Sequence, residues 1–420
     1  MATVIWKGDA QGVAQVTRLT VGGTIEVNDV FTMTIGSKSM SVVGGSTLAA
    51  DVAAAIVAAW NALAATQYPE FAAISASAAG GGNVDLAAKT AGVPFTVALA
   101  TTESGGGAAD GQTFTQNAVT PASGGAFWNV AANWSTGTVP VGGDDVIIQN
   151  SANPILYGLD QSAVTLASLS IDQSFTGTIG LARTNAAGYV EYRDQYLKIG
   201  ATTISIGRGD GAGSGRIKIN TLAVQTAINV SNSGSPIENG VKSILWKGTH
   251  ASNSVLVNKG SLAAAHFAGE TATIAALKQG YRTNVAGDAD VRLGAGCSLG
   301  SCAITKLGGT LEINASFASL SQLHGETVIL AGSPGTLRIA GGAVRYKSGG
   351  TYTSAIVAGG GELDFRQDLQ PRTGTDTMLH KGATLRDPAQ TVTFTNPIAL
   401  ECELADVTLE LGSSFNLQRS

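Results

Sequence analysis

Three short stretches in the C-terminal half share one pattern: "GGTLEIN", "PGTLRIA" and "GGELDFR". They place Leu311, Leu337 and Leu363 at an interval of 26 residues, twice over. Each leucine is followed by a charged residue and then by Ile313, Ile339 or Phe365. Successive side chains of a strand face opposite ways, so each Leu-x-Ile turns two apolar groups to one side and its charge to water. Looser relatives are "LASLSID" with Leu169 and Ile171, "QYLKIG" with Leu197 and Ile199, "GRIKIN" with Ile217 and Ile219, and "VTLELG" with Leu409 and Leu411. A strand recurring every ~20 to 28 residues between polar turns fits a stacked coil, in which each circuit adds to one aliphatic column. Residues 127–420 are therefore read as a right-handed parallel β-helix (a β-solenoid) within a mainly β protein. A β-sandwich-rich multidomain protein is the alternative, since it also gives many short strands.

Composition agrees and removes several function classes. Gly accounts for 55 of 420 residues and only 13% are charged, which suits tight corners and small side chains. The hydrophobic share of 44% is too high for disorder. Net charge is −5 and no Lys/Arg cluster occurs, so nucleic-acid binding is not expected. The glycine-rich "SIGRGDGAGSGRIKIN" lacks a phosphate-loop lysine and runs into a strand pattern, so Arg208-Gly209-Asp210 is read as part of a turn. His250, His266, His324 and His380 are scattered without zinc spacing, and neither a metal nor another cofactor is expected. Cys297, Cys302 and Cys402 make an odd set, read as plain thiols. No uninterrupted apolar run is long enough to span a bilayer, and the start lacks a basic and then apolar leader, so membrane insertion and a signal peptide are not expected.

The N-terminal part reads differently. Residues 1–13 are taken as an extended arm and 14–100 as an α+β docking module. "TIEVNDVFTMTI" and "MSVVG" form a hairpin, with a bulge expected at Asn28-Asp29. One helix follows, with Ser46 or Thr47 as N-cap and Leu48, Val52, Ile56, Trp60 and Leu63 on its apolar face. "FAAISAS", "NVDLAAKT" and "FTVALA" supply further strands. Residues 101–126, rich in Gly, Ser, Thr and Ala, read as a linker with one short strand at "QTFTQ". "SLAAAHFAGETATIAALKQ" is the one later segment that is ambiguous between helix and strand.

Directly behind that linker stands "FWNVAANWSTGTVPVGGDDVII", with two of the five tryptophans. A solenoid's first coil exposes an apolar cross-section that must be covered. Phe127, Trp128 and Trp134 are read as that cap, with Pro140 in the turn and Asp144 and Asp145 ahead of the first strand, one of them bonding backbone donors. A sugar platform of Trp faces and carboxylates is the competing reading.

This motif resembles the entry segment of bacterial and phage β-helix surface proteins. The stretch "NDVFTMTIGSKSMSVV…TLAADVAAAIVAAWNA…NVDLAAKTAGVPFTV" is similar to a small module of phage virion proteins. Together these stretches cover a little under a third of the chain. The resemblance implies a bacteriophage virion structural protein of the head fibre, capsid decoration or tail fibre type. Such proteins are made in the host cytoplasm, dock on other virion proteins by the N-terminal region, and often form homotrimers with the β-helix projecting.

Two further roles stay open. A tail-associated adhesin for a host receptor or glycan would need exposed aromatics, with Tyr192, Tyr196, Trp246, Tyr346 and Tyr352 as the candidates. A polysaccharide-degrading tailspike would need paired carboxylates. Glu362 and Asp364 come nearest, but they are read as lying on opposite strand faces, with Asp364 solvated. No catalytic residue is assigned.

Overall fold

A computed structural model describes residues 2–103, 111–280 and 289–413. The protein is mainly β, with a small N-terminal α+β region and a large parallel β-sheet. Antiparallel pairing is confined almost entirely to the N-terminal region. There one sheet orders Ile74–Ala78, Asn83–Ala88, Val16–Gly22 and Thr113–Thr120, and a second orders Lys38–Val43, Val30–Ile35 and Ala98–Thr102. The helix Ala49–Asn61 buries Val52, Ile56 and Trp60 against them, and Trp60 Nε1 donates to the Ile74 carbonyl at 3.2 Å.

Several expectations about this region need correction. Leu48 is the helix N-cap and has no side-chain cap; Ser46 Oγ instead accepts from Leu48 N and donates to Asp51. Asn28-Asp29 is no bulge within a strand. Asp29 accepts from Glu26 N at 2.7 Å and closes a turn that precedes Val30–Ile35. The expected linker is largely part of the module, because Thr113–Thr120 pairs along the whole of Val16–Gly22. Residues 104–110 of it lie outside the described residues.

The described part of the expected extended arm, from Ala2 onward, is tied into the large sheet. Thr3–Ile5 pairs in parallel with Asp145–Ile148, Val4 opposite Val146, and so supplies a rung of the large sheet. From there the chain repeatedly lays a strand beside one placed a circuit earlier. One ladder runs through Asp145–Ile148, the C-terminal halves of Asp160–Ile171 and Leu197–Ile206, Ala227–Val230, Ser254–Val257 and Ala276–Gln279, and on to Ala399–Leu400. A second ladder runs from Ile217–Asn220 through Ile244–Lys247 and Gly260–Ala264 to Thr408–Leu411. A short third set joins Leu299 to Phe317, Phe317 to Pro334, and Tyr352 to Gly374. The ambiguous segment after Gly260 resolves into strands of these ladders, Gly260–Ala264 and Ala276–Gln279 among them.

The 26-residue interval is not the register. Leu311 pairs with Thr327, Thr327 with Val344, and Val344 with Leu363, so each local circuit is shorter than the echo. Three parallel pairings separate Leu311 from Leu363, and Leu337 lies in the other ladder. Any strand facing the core requires the same alternation, whichever ladder it belongs to, so the echo crosses from one ladder to the other.

The inward column of the first ladder is aliphatic over ten rungs: Val4, Val146, Leu169, Ile204, Ile228, Val255, Leu277, Ile304, Leu320 and Leu337. All are at most 2% exposed, and burying each contributes roughly 2 kcal/mol. Two positions further along these strands, the column Ile148, Ile171, Ile206, Val230 and Val257 is interrupted by Gln279, Lys306 and Gln322 before Ile339 restores it. These three polar side chains are fully buried. They satisfy corner carbonyls: Gln279 bonds Ala289 and Thr310, Lys306 bonds His324 at 2.8 Å, and Gln322 bonds Gly341 and Ala343. Glycine is required where the turns crowd. Gly207 has φ +78°, and a Cβ there would lie 2.0 Å from the Asn232 carbonyl oxygen.

Candidate functional site

The aromatic segment folds inward. Trp128 and Trp134 are fully buried with ring centroids 4.7 Å apart, edge to face. Trp134 Nε1 donates to the Trp128 carbonyl at 2.7 Å. Trp6 completes the group, 5.0 Å from Trp134, and its Nε1 donates to the Asn153 carbonyl. All three belong to the core cluster that contains Val4, Val146 and Leu169. Phe127 is buried against Tyr157, and Pro140 is buried in the turn. Asn133, fully buried, pins the segment by donating to the Gly124 and Phe127 carbonyls and accepting from Ala10 N.

The aspartates serve the same end of the sheet. Asp144 accepts from Ala2 N and Val141 N, both at 3.0 Å, and these backbone bonds hold its carboxyl below the usual range. Asp145 accepts from Ser168 Oγ at 2.5 Å, tying two rungs together. With every indole buried and the aspartates occupied, the segment offers no exposed sugar platform. Sequence reasoning missed Trp6, because nothing local links it to a motif so distant along the chain.

The expected surface aromatics need correction too. Tyr196, Trp246, Tyr346 and Tyr352 are buried. Trp246 Nε1 donates to Thr221 Oγ1, Tyr346 to the Gly350 carbonyl at 2.7 Å, and the Tyr352 and Thr377 hydroxyls lie 2.8 Å apart. Tyr346, Tyr352 and Phe365 cluster inside the sheet. Tyr192 is half-buried where the N-terminal module meets the large sheet, and burial pushes its phenol up to about 12. None of the five is a free adhesive ring.

Glu362 and Asp364 share a strand face, as residues two apart must, with Leu363 pointing inward between them. Asp364 is not solvated. Its side chain is 1% exposed and is bound by Arg345 at 2.8 Å and Arg366 at 2.9 Å. Burial pushes this carboxyl up, but the Arg366 hydrogen bonds and the two guanidinium charges outweigh it and hold it below the usual range. A carboxylate so held is a poor proton donor near neutrality. The same face carries Glu326 with Arg345, Arg386 with Glu362, and Arg386 with Glu410, an ion-pair ladder along successive rungs.

Cys297 and Cys302 are free and buried, and burial pushes their thiols up to about 12 and about 11. Glu26, Asp29 and Glu103 bring carboxylate oxygens within 4.8 Å of one another, a cluster no local spacing announced. Compared with protein-family models, with curated proteins and with solved structures, the chain matches none.

Proposed function

We propose that this chain is a non-enzymatic structural protein of a bacteriophage particle, a capsid decoration or head fibre that docks by its N-terminal region. The resemblance of residues 28–97 and 127–148 to phage virion segments supports the phage assignment. The large sheet is read as a right-handed, three-sided β-helix. Two long ladders and a short third set supply the faces, and parallel crossover connections are right-handed in ~98% of cases. The observation that carries the structural role is the unbroken aliphatic column, begun by Val4 of the N-terminal region itself. Mass spectrometry and cryo-EM of purified particles should find the chain in stoichiometric amount with its module against the particle surface; absence from the particle would end this reading.

Self-association, with a homotrimer as the expected form, is supported by the outward face of the first ladder. Ser168, Thr203, Ala227, Ser254, Ala276 and Ala303 stand in register there, and such short side chains let a second sheet approach closely. Sedimentation of the isolated 42.3 kDa chain should give three times that mass, and a monomer at micromolar concentration would refute it. A tail-associated receptor- or glycan-binding adhesin is the other role this architecture serves, favoured by the cleft described next. A tailspike depolymerase has less support, given how Asp364 is held.

A further inference from the structure

Outside the second ladder, two loops cover part of the sheet. Tyr196, Leu245 and Ala263 form a small apolar cluster there with Phe267, separate from the interior core. Between the loops carrying residues 183–196 and 267–270 opens a cleft of about 300 Å³. It lies beside the N-terminal module, since Arg193, on its wall, donates to the Pro94 carbonyl at 2.9 Å.

Charge is concentrated in this cleft. Arg183, Arg193, Lys198 and Lys247 line it against only Asp194 and Glu270, although the chain as a whole carries −5. Just behind, Arg216 and Lys218 share the single carboxylate of Glu238. The four lining cations are not equivalent. Arg193 is saturated by Glu191 and Pro94, and Lys198 by Asp160 and Asp194. Arg183 makes no ion pair among the described residues, and its guanidinium sits over the Phe267 ring, 4.8 Å from the centroid. That contact restrains the fork and leaves its N–H edge for a planar acceptor. Lys247 sits 4.0 Å from the Tyr196 ring and 3.5 Å from Glu270 Oε1. Burial, with Glu270 alongside, pushes the Tyr196 phenol well above its usual value, and its oxygen is closed off from solvent, so Tyr196 packs the cleft wall.

The geometry points to a binding site for an acidic sugar: a carboxylate on Arg183 and Lys247, and a ring hydroxyl on Glu270. A uronic acid has both groups on one ring, and ~300 Å³ is the lower end of small-ligand pockets, enough for one such ring. A neutral sugar would leave Arg183 unanswered. A simple inorganic anion would bring the same like charge near Glu270 without a sugar hydroxyl to bridge to it.

The test uses the full chain with sodium D-glucuronate, followed by saturation-transfer NMR, so its result does not depend on where the protein sits on a particle. We expect transfer to glucuronate ring protons and none to glucose at equal concentration. Arg183→Ala, on an exposed loop, should weaken glucuronate binding at least fivefold, while Arg338→Ala, an exposed arginine on the first ladder, should leave it unchanged. Equal signals from glucose and glucuronate, no signal at all, or full binding by Arg183→Ala would overturn the proposal. So would complete displacement of glucuronate by an equimolar amount of inorganic phosphate, which would mark a bare anion site.

Discussion

Truncating Trp128 and Trp134 to alanine should strongly destabilise the first rungs of the sheet. Each indole is fully buried, and each loss is worth roughly 3–5 kcal/mol, part lost transfer energy and part cavity. The two are coupled through the Trp134 Nε1 bond to the Trp128 carbonyl and through ring contact, and Trp6 touches Trp134 in turn. Losses at Trp6 and Trp134 should therefore be non-additive in a double-mutant cycle. In a stacked sheet each rung contacts mainly its neighbours, so damage at one end stays local before it spreads. Hydrogen exchange should accelerate first over Thr3–Ile5 and Asp145–Ile148, and an apolar dye should bind the exposed end. Trp128→Phe is the informative control. The Trp128 N–H is buried without a hydrogen-bond partner among the described residues, so removing it while keeping a ring should cost far less. An unchanged melting midpoint and unchanged exchange in the double alanine variant would refute a structural role for the lid.

Replacing Lys306 by methionine should raise stability in acid and do little in alkali. Lys306 is fully buried, and burial pulls its amine down to about 7 from an ordinary 10.5, with Glu326 opposing the shift. Below pH 7 the amine is protonated in both folded and unfolded chain, and the folded state carries the whole cost of a buried ammonium. Between 7 and 10.5 the unfolded chain holds the extra proton, so stability rises with pH. Above that range the amine is neutral in both states and the cost is gone. The shift corresponds to something on the order of 5 kcal/mol at pH 6. Methionine nearly matches the lysine stem in volume and carries no charge, at the loss of one bond to the His324 carbonyl. The gap in melting midpoint between Lys306→Met and the parent should be large at pH 6 and close towards pH 10. A gap that stays constant across that range would mean the amine is not titrating as its burial requires.

Local pattern was the legible part of this molecule. Alternation marked Leu169, Ile171, Leu311, Leu337 and Leu363 as inward-facing, and helical spacing marked Val52, Ile56 and Trp60, because the covalent geometry of strands and helices imposes those periods on any buried face. That one of Asp144 and Asp145 would bond backbone was legible too, since a short carboxylate beside a Gly-Gly turn finds donors within a few bonds; the structure shows it is Asp144. Where each strand went was not legible. A short circuit and a long one give the same alternation, as the steps from Leu311 to Thr327 and from Leu262 to Val291 show, so the true register was hidden beneath the regular leucine echo.

The candidate sites divide the same way. Large aromatics and acids stand out in a sequence, but whether Tyr346 meets water or Phe365, and whether Asp364 meets water or two arginines, depends on neighbours brought from other circuits. The chain by itself determined that it would build short alternating strands, tight glycine corners and one amphipathic helix, because these follow from the φ/ψ preferences and burial of adjacent residues. Only the tertiary structure decided that Thr3–Ile5 is a rung of the large sheet, that Gln279, Lys306 and Gln322 stack inside it, and that Arg183 and Lys247 face one cleft. Each of those outcomes joins residues far apart in the chain, and sequence spacing carries no term for such contacts.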